Sequence, residues 1–262
     1  MSDTAIITLG RFGDVINALP IAAHVASESG SPVDFLVHHE FHGFLECASY
    51  VRPIVAPVDR VDECEPARLW ASLRWDRVLV AQTHGNADQR RLAHNFAAEA
   101  YRLAGLPDLY DGGTVRIDRR HRQREERLWC QSAASLDLTR PLIAFNLGGL
   151  SSPFAAAGEF ESRLRSAARD NGWELLDLSR IHAMRLYDLL GILDRVDALI
   201  TTDTSTLHLA RASCVPTIEL VNNTPWLASD AGPHSLLRRS YREALSSLPG
   251  ISGCLENHLS VC

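Results

Sequence analysis

The 262-residue chain contains no lysine, and all 26 of its basic residues are arginine. That absence excludes Schiff-base catalysis and any lysine clamp on a phosphate, since only an amine side chain forms an imine or presents a compact ammonium. Long apolar runs are missing as well: none reaches the roughly 18 residues that span a bilayer. Met1 to Thr4 lead straight into a strand-like segment, without the basic region that opens a secretory leader. The six cysteines (Cys47, Cys64, Cys130, Cys214, Cys254 and Cys262) make no CxxC pair and no small-domain framework. They read as reduced thiols in a cytoplasmic chain. The net charge of −6 gives no general pull towards nucleic acid. No Walker loop and no Ser-His-Asp arrangement is evident.

What remains is an ordinary globular composition, 46% hydrophobic and 22% charged, so a folded chain is expected. Its length suits two domains of about 130 residues each. Strand-like runs occur at residues 5–9, 33–37, 51–55 and 77–81, with a helical pattern from Val15 and a longer one over 87–103, closed by Gly105 and Pro107. Residues 108–118 lose periodicity, and the almost fully charged stretch 119–127 reads as the solvated face of a helix. The alternation then restarts. Strands are expected at 142–146, 173–178, 198–202 and 217–221, and helices at 159–170, 186–193, 207–212 and 234–248. Two βα arrays with short connections predict an α/β chain of two Rossmann-like parallel-sheet lobes facing a central cleft. The expected organisation is a first lobe at 1–110, a connection and helix at 111–139, a second lobe at 140–250 and a tail at 251–262.

Ligands of such sheets sit at the carboxyl ends of the strands, so the segments just after the strands carry the candidates. Gly10-Arg11-Phe12-Gly13-Asp14 follows the first strand. Its glycines suit a tight turn, but it is not the full GxGxxG fingerprint. Asp14 is either a helix cap or a carboxylate that takes a proton from a hydroxyl. Thr201 to His208 empties a buried strand into short hydroxyl residues at a helix start. This suits a diphosphate or ribose, and equally an ordinary capping cluster. Asn146-Leu147-Gly148-Gly149-Leu150-Ser151-Ser152 is a third loop, either phosphate-facing or a simple turn.

In this order the segments resemble the heptosyltransferases of lipopolysaccharide synthesis, glycosyltransferase family 9. Ile6 to Pro20 is similar to the family's opening, with Gly13-Asp14-Val15 ahead of a helix containing Leu19-Pro20. Trp75 to Asn86 is similar to its fourth strand and loop. Asp197-Ala198-Leu199-Ile200, then Asp203-Thr204-Ser205-Thr206-Leu207-His208-Leu209-Ala210, then Val215-Pro216-Thr217, carry the best match. The resemblance implies a GT-B fold and inverting, metal-independent transfer of a heptose or similar sugar, with Asp14 as the general base. Arg11, Phe12 and Gly13 would form the acceptor-side loop. Gly148, Gly149, Ser151, Asp203, Thr204, Ser205, Thr206 and His208 would bind the donor, a nucleotide-diphosphate sugar of ADP type. It implies no cofactor, a saccharide or glycolipid acceptor, and a place at the periphery of the inner membrane. Two departures stand out: Ser205 replaces the family's glycine, and the lysine after the second-lobe phosphate loop is absent, leaving Arg11, Arg163 or Arg185 as substitutes.

Two rival functions are compatible with the same segments. One is a transferase acting on hydroxymethylated DNA bases, against which the acidic balance speaks. The other is a binding module for sugar nucleotides or carbohydrates, which has no need of a base at Asp14. Two metal patterns, His38 with His42 and Cys254 with His258 and Cys262, lack further ligands, and no metal site is expected from them.

Overall fold

A computed structural model describes residues 3–82, 96–112, 114–149, 152–222 and 232–259. These fall into two compact units that divide between Arg120 and His121.

The first unit is built on four parallel strands, β1 (Thr4–Ile7), β2 (Val33–Val37), β3 (Val51–Val55) and β4 (Arg77–Val80), in the order β3-β2-β1-β4. On the central strand, Ile6 sits opposite Phe35 on one side and Leu79 on the other. Ala5, Ile6 and Ile7 are fully buried, as expected for strands with both faces covered. Helix α1 (Phe12–Ser29) returns the chain from β1 towards β2 and ends at Gly30, whose φ of 67° is the left-handed cap that glycine adopts without strain. Helix α2 (Cys64–Ser72) was not apparent in the sequence, because it buries only Ala67 and Ala71. Those two small residues pack on Ile7, Leu9 and Leu36. Helix α3 (Phe96–Leu103) is the described part of the expected helix 87–103, whose earlier turns lie outside the described residues.

The second unit opens with α4 (Arg122–Ala133) and carries five parallel strands: β5 (Leu142–Asn146), β6 (Glu174–Asp177), β7 (Ala198–Thr202), β8 (Thr217–Val221) and β9 (Ser235–Ser240). Their order is β6-β5-β7-β8-β9. Between them lie α5 (Ala157–Asn171), α6 (Leu190–Leu193) and α7 (Ser205–Ala210), followed by α8 (Tyr241–Ala244) and α9 (Leu248–Leu259). The core gathers Ile143 and Phe145 of β5, Phe160 and Leu164 of α5, and Ile251 and Leu255 of α9.

One expectation is overturned. Residues 234–248 do not form one helix: the segment begins as strand β9, which Arg238 anchors to β8 by an ion pair with the buried Glu219 at 3.0 Å. A Leu-Leu-Arg-Arg run favours helix locally, but pairing along β8 overrides that preference. The charged stretch 119–127 enters α4 largely exposed, as expected of a solvated helix face, with Glu125 as the exception. Glu125 is buried against Gly191, where an added Cβ would lie 2.5 Å from Glu125 Cβ, and Arg124 forks onto the buried Asp188 at 3.0 Å.

Candidate functional site

In the first unit the carboxyl end of β1 runs through Thr8 and Leu9 into Gly10, then into α1. Asp14 stands in the first turn of α1 and is buried, and its Oδ2 accepts a hydrogen bond from Arg11 N at 3.0 Å. A carboxylate in that turn also meets the positive end of the helix dipole. Asp14 therefore closes the start of α1 in the manner of a capping box.

The reason for a glycine at position 10 differs from the tight turn suggested by the sequence. Gly10 is not in the left-handed region. A Cβ there would instead lie 2.5 Å from Asp14 Oδ2 and 2.6 Å from its Cγ, closer than real carbon contacts come. The carboxylate occupies the space that a side chain at position 10 would fill.

Neighbouring side chains complete this end of the sheet. Phe12 packs edge-on against Phe41 and Phe44, with ring centroids 4.9 and 5.8 Å away; Arg11 is exposed and Gly13 half-buried. Cys64, at the start of α2, is half-buried. Burial pushes its thiol up to about 12, and the Asp14 charge adds to the rise. Gln82, two residues beyond β4, is buried and anchors the loop: its Oε1 accepts from Leu9 N at 2.6 Å and Gly10 N at 2.9 Å. The sequence reading assigned no role to Gln82, although it stands just after a strand, where a functional side chain is expected.

In the second unit the loops after β5 and β7 meet. Asn146 Nδ2 donates to Thr206 Oγ1 at 2.7 Å, and Thr202 Oγ1 donates to Asn146 O at 3.3 Å. Asn146 Oδ1 accepts from Gly148 N at 3.1 Å. Gly149 is tightly enclosed: a Cβ there would come 2.9 Å from Ser152 O of its own loop and 3.2 Å from Thr204 Cγ2 of the other. Gly148, by contrast, has only Asn146 Oδ1 nearby among the described residues, at 3.7 Å. Asp203, Thr204 and Ser205 are half-buried, whereas Thr206 and His208 are buried. His208 Nε2 is 4.0 Å from Asp203 Oδ1. The structure thus brings Gly149, Asp203, Thr204, Thr206 and His208 into one cluster, while Ser151 lies outside the described residues.

A second unforeseen residue ties these loops together. Tyr241, at the start of α8, accepts from Asp203 N at 3.3 Å and donates to Ser152 O at 3.0 Å. Burial raises its phenol above the ordinary value, so it stays a neutral donor at working pH. Its ring stacks at 4.9 Å on Phe154. The link spans strands far apart in the chain, and no local pattern announces it.

The proposed arginine substitutes lie in different settings. Arg163 is held by Glu159 one turn back on α5, at 2.5 Å, and Arg185 precedes the short turn 186–189, where its N–H donates to Asp188. His38 Nε2 lies 3.1 Å from Asp59 O, and His258 and Cys254 sit on α9; Cys262 lies outside the described residues. Among the described residues no group of three or more His, Cys, Asp or Glu could hold a metal ion, and no helix is long and apolar enough to cross a membrane. A groove of about 500 Å³ runs along the edge strand β6, beside Arg165, Arg180 and His182, and contains none of the sequence-predicted residues.

No family model matches the chain, and no curated protein matches it by sequence. Solved structures do match. The glycosyl transferase family 9 structure from Veillonella parvula superposes with a TM-score of 0.60 at 13% identity, over 95% of this chain and 88% of that one. The E. coli ADP-heptose lps heptosyltransferase II gives a TM-score of 0.65 at 14% identity, over 99% and 98% of the two chains. The iron-containing dodecameric glycosyltransferase TibC from enterotoxigenic E. coli gives 0.54 at 13% identity, over 86% of this chain and 61% of its own. What such low identities carry is architecture. With its two all-parallel α/β units, the chain has the GT-B fold of these glycosyltransferases.

Proposed function

We propose that the chain transfers a sugar from a nucleotide-diphosphate donor to a hydroxyl of a saccharide acceptor, with inversion and without a metal. The observation that carries this reading is the buried Asp14 carboxylate, held at the carboxyl end of β1 by Arg11 N and by the side-chain-free Gly10, in a fold shared with sugar transferases.

In the proposed step the acceptor hydroxyl gives its proton to Asp14 as its oxygen attacks the anomeric carbon. The bond from that carbon to the diphosphate oxygen breaks, and the nucleoside diphosphate leaves with the electron pair. A base positioned in this way contributes about 10²–10⁴-fold. Charge on the leaving diphosphate would be met by fixed dipoles and hydroxyls, here Thr204 and Ser205 beside Gly149, in place of a cation. The ADP type of donor follows from the family resemblance, and the structure of like fold named as an ADP-heptose lps heptosyltransferase II supports it.

The test is calorimetry with ADP, UDP, GDP and CDP, first without metal and then with magnesium, on wild type and Asp203→Ala. Binding of one nucleotide without metal, weakened in the variant, places the donor in the second unit. A wild type that binds none of the four sinks the donor assignment and favours a carbohydrate-binding role. Asp14→Asn should bind that nucleotide as wild type does and lose turnover; undiminished turnover removes Asp14 from the chemistry.

A further inference from the structure

We infer that Gln82 is the positioning residue for Asp14: its one buried amide sets the loop from which the carboxylate acts. The inference rests on the reading of Asp14 as the proton acceptor. Three hydrogen bonds define the clamp. Oε1 accepts from both Leu9 N and Gly10 N, at 2.6 and 2.9 Å, and Nε2 donates to Val61 O at 2.7 Å. The two backbone N–H groups come from the residues between β1 and α1, whose chain has left the β ladder and not yet entered the helix. Such groups need a partner once buried, and a side chain from another strand is the means by which a loop obtains one.

The clamp acts on Asp14 through Gly10. The Asp14 carboxylate occupies the volume that a Cβ on Gly10 would take. Fixing Gly10 N therefore fixes one wall of the carboxylate's site, and Arg11 N, the next amide along, is the donor that Asp14 Oδ2 accepts from. Gln82 thus ties β4, β1 and the segment before α2 to Gly10, the residue just before Arg11, from whose N–H Asp14 accepts. Gln82 is held in turn at Val61, just ahead of Cys64, so the same clamp sets the entry to α2. A carboxyl of glutamate at this position keeps the double acceptor and loses the donor to Val61 O. Leucine, of similar size, loses both.

Two readouts separate positioning from mere support of the fold. The first is kinetic: Gln82→Leu should lower kcat by about 10²-fold, the scale of a 1 Å misplacement, with donor Kd and donor KM unchanged, and Gln82→Glu should recover part of that loss. The second needs no turnover. Cys64 lies against Leu9 and feels the Asp14 charge, so its alkylation rate at pH 8, read peptide by peptide by mass spectrometry, reports the order of this loop. It should rise roughly tenfold in Gln82→Leu and less in Gln82→Glu. Wild-type kcat together with a wild-type Cys64 rate in Gln82→Leu overturns the inference, and so does a fall in donor affinity and melting temperature with kcat unchanged. A wild-type chain that turns over no donor sinks the transferase reading instead. The Cys64 rates in the two variants then decide whether Gln82 holds the Asp14 loop.

Discussion

Substituting Gly10 with alanine tests the link between glycine and carboxylate most directly. The added methyl would stand 2.5 Å from Asp14 Oδ2, 2.6 Å from Cγ and 2.9 Å from Cβ. Restoring ordinary contact requires the carboxylate to retreat by about 1 Å, and overpacking of this kind costs about 1–3 kcal/mol. Backbone conformation adds nothing to that cost, because Gly10 does not occupy the left-handed region. A displacement of this size at a reacting group lowers the rate by about 10²-fold, so activity should suffer more than stability. Urea unfolding in two Asp14 backgrounds isolates the cause. Asp14→Asn keeps the shape of the side chain and should keep the penalty of Gly10→Ala, whereas Asp14→Ala removes its two closest atoms and should relieve at least about 1 kcal/mol of it, within the range of coupling energies between contacting residues. An equal penalty in both backgrounds refutes the argument that Asp14 is what position 10 must accommodate.

Three further outcomes follow from the same geometry. Gly149→Ala should drive Ser152 O and Thr204 apart and weaken nucleotide binding about tenfold, or about 1.4 kcal/mol, measured by calorimetry against wild type. Tyr241→Phe removes the hydroxyl shared by Asp203 N and Ser152 O; urea unfolding should show a loss of about 1–2 kcal/mol, and nucleotide affinity should fall with it. Alkaline stability should depend on Cys64, whose thiol is raised from 9.0 to about 12 chiefly by burial. The fold favours the protonated thiol, so its contribution is complete below pH 9 and drains as pH climbs towards 12. Cys64→Ala should flatten that limb of the stability curve relative to wild type, and parallel curves would contradict the assignment.

The sheets were largely legible in the sequence because parallel strands buried on both faces appear as unbroken apolar runs. Ala5-Ile6-Ile7 and Ala198-Leu199-Ile200 are such runs, and both are fully buried. Strand β9 hid because it is an edge with half-exposed leucines and an arginine whose partner, Glu219, lies on another strand. Helix α2 hid because two alanines make too thin an apolar stripe to register. At the site, the loop after β1 and the hydroxyl run after β7 were visible as motifs, since each is contiguous. Gln82 and Tyr241 were not, because their partners stand 72 and 89 residues away. The role of Gly10 was also misread: a glycine in a loop suggests a turn, and only the coordinates reveal a carboxylate in its Cβ space.

The Tyr241 link has a consequence for synthesis. Among the described residues, the four strands of the first unit are all present once Val80 has been made, before the second unit begins at His121. The loops after β5 and β7 have no such independence. Ser152 must wait for a hydroxyl 89 residues downstream. At roughly 5–20 residues per second this is a delay of about 4–18 s, during which the first unit can be native and the second has its loops without their common tether. A chain halted between β8 and α8 would carry every residue of the predicted nucleotide site and still lack the group that joins Ser152 to Asp203.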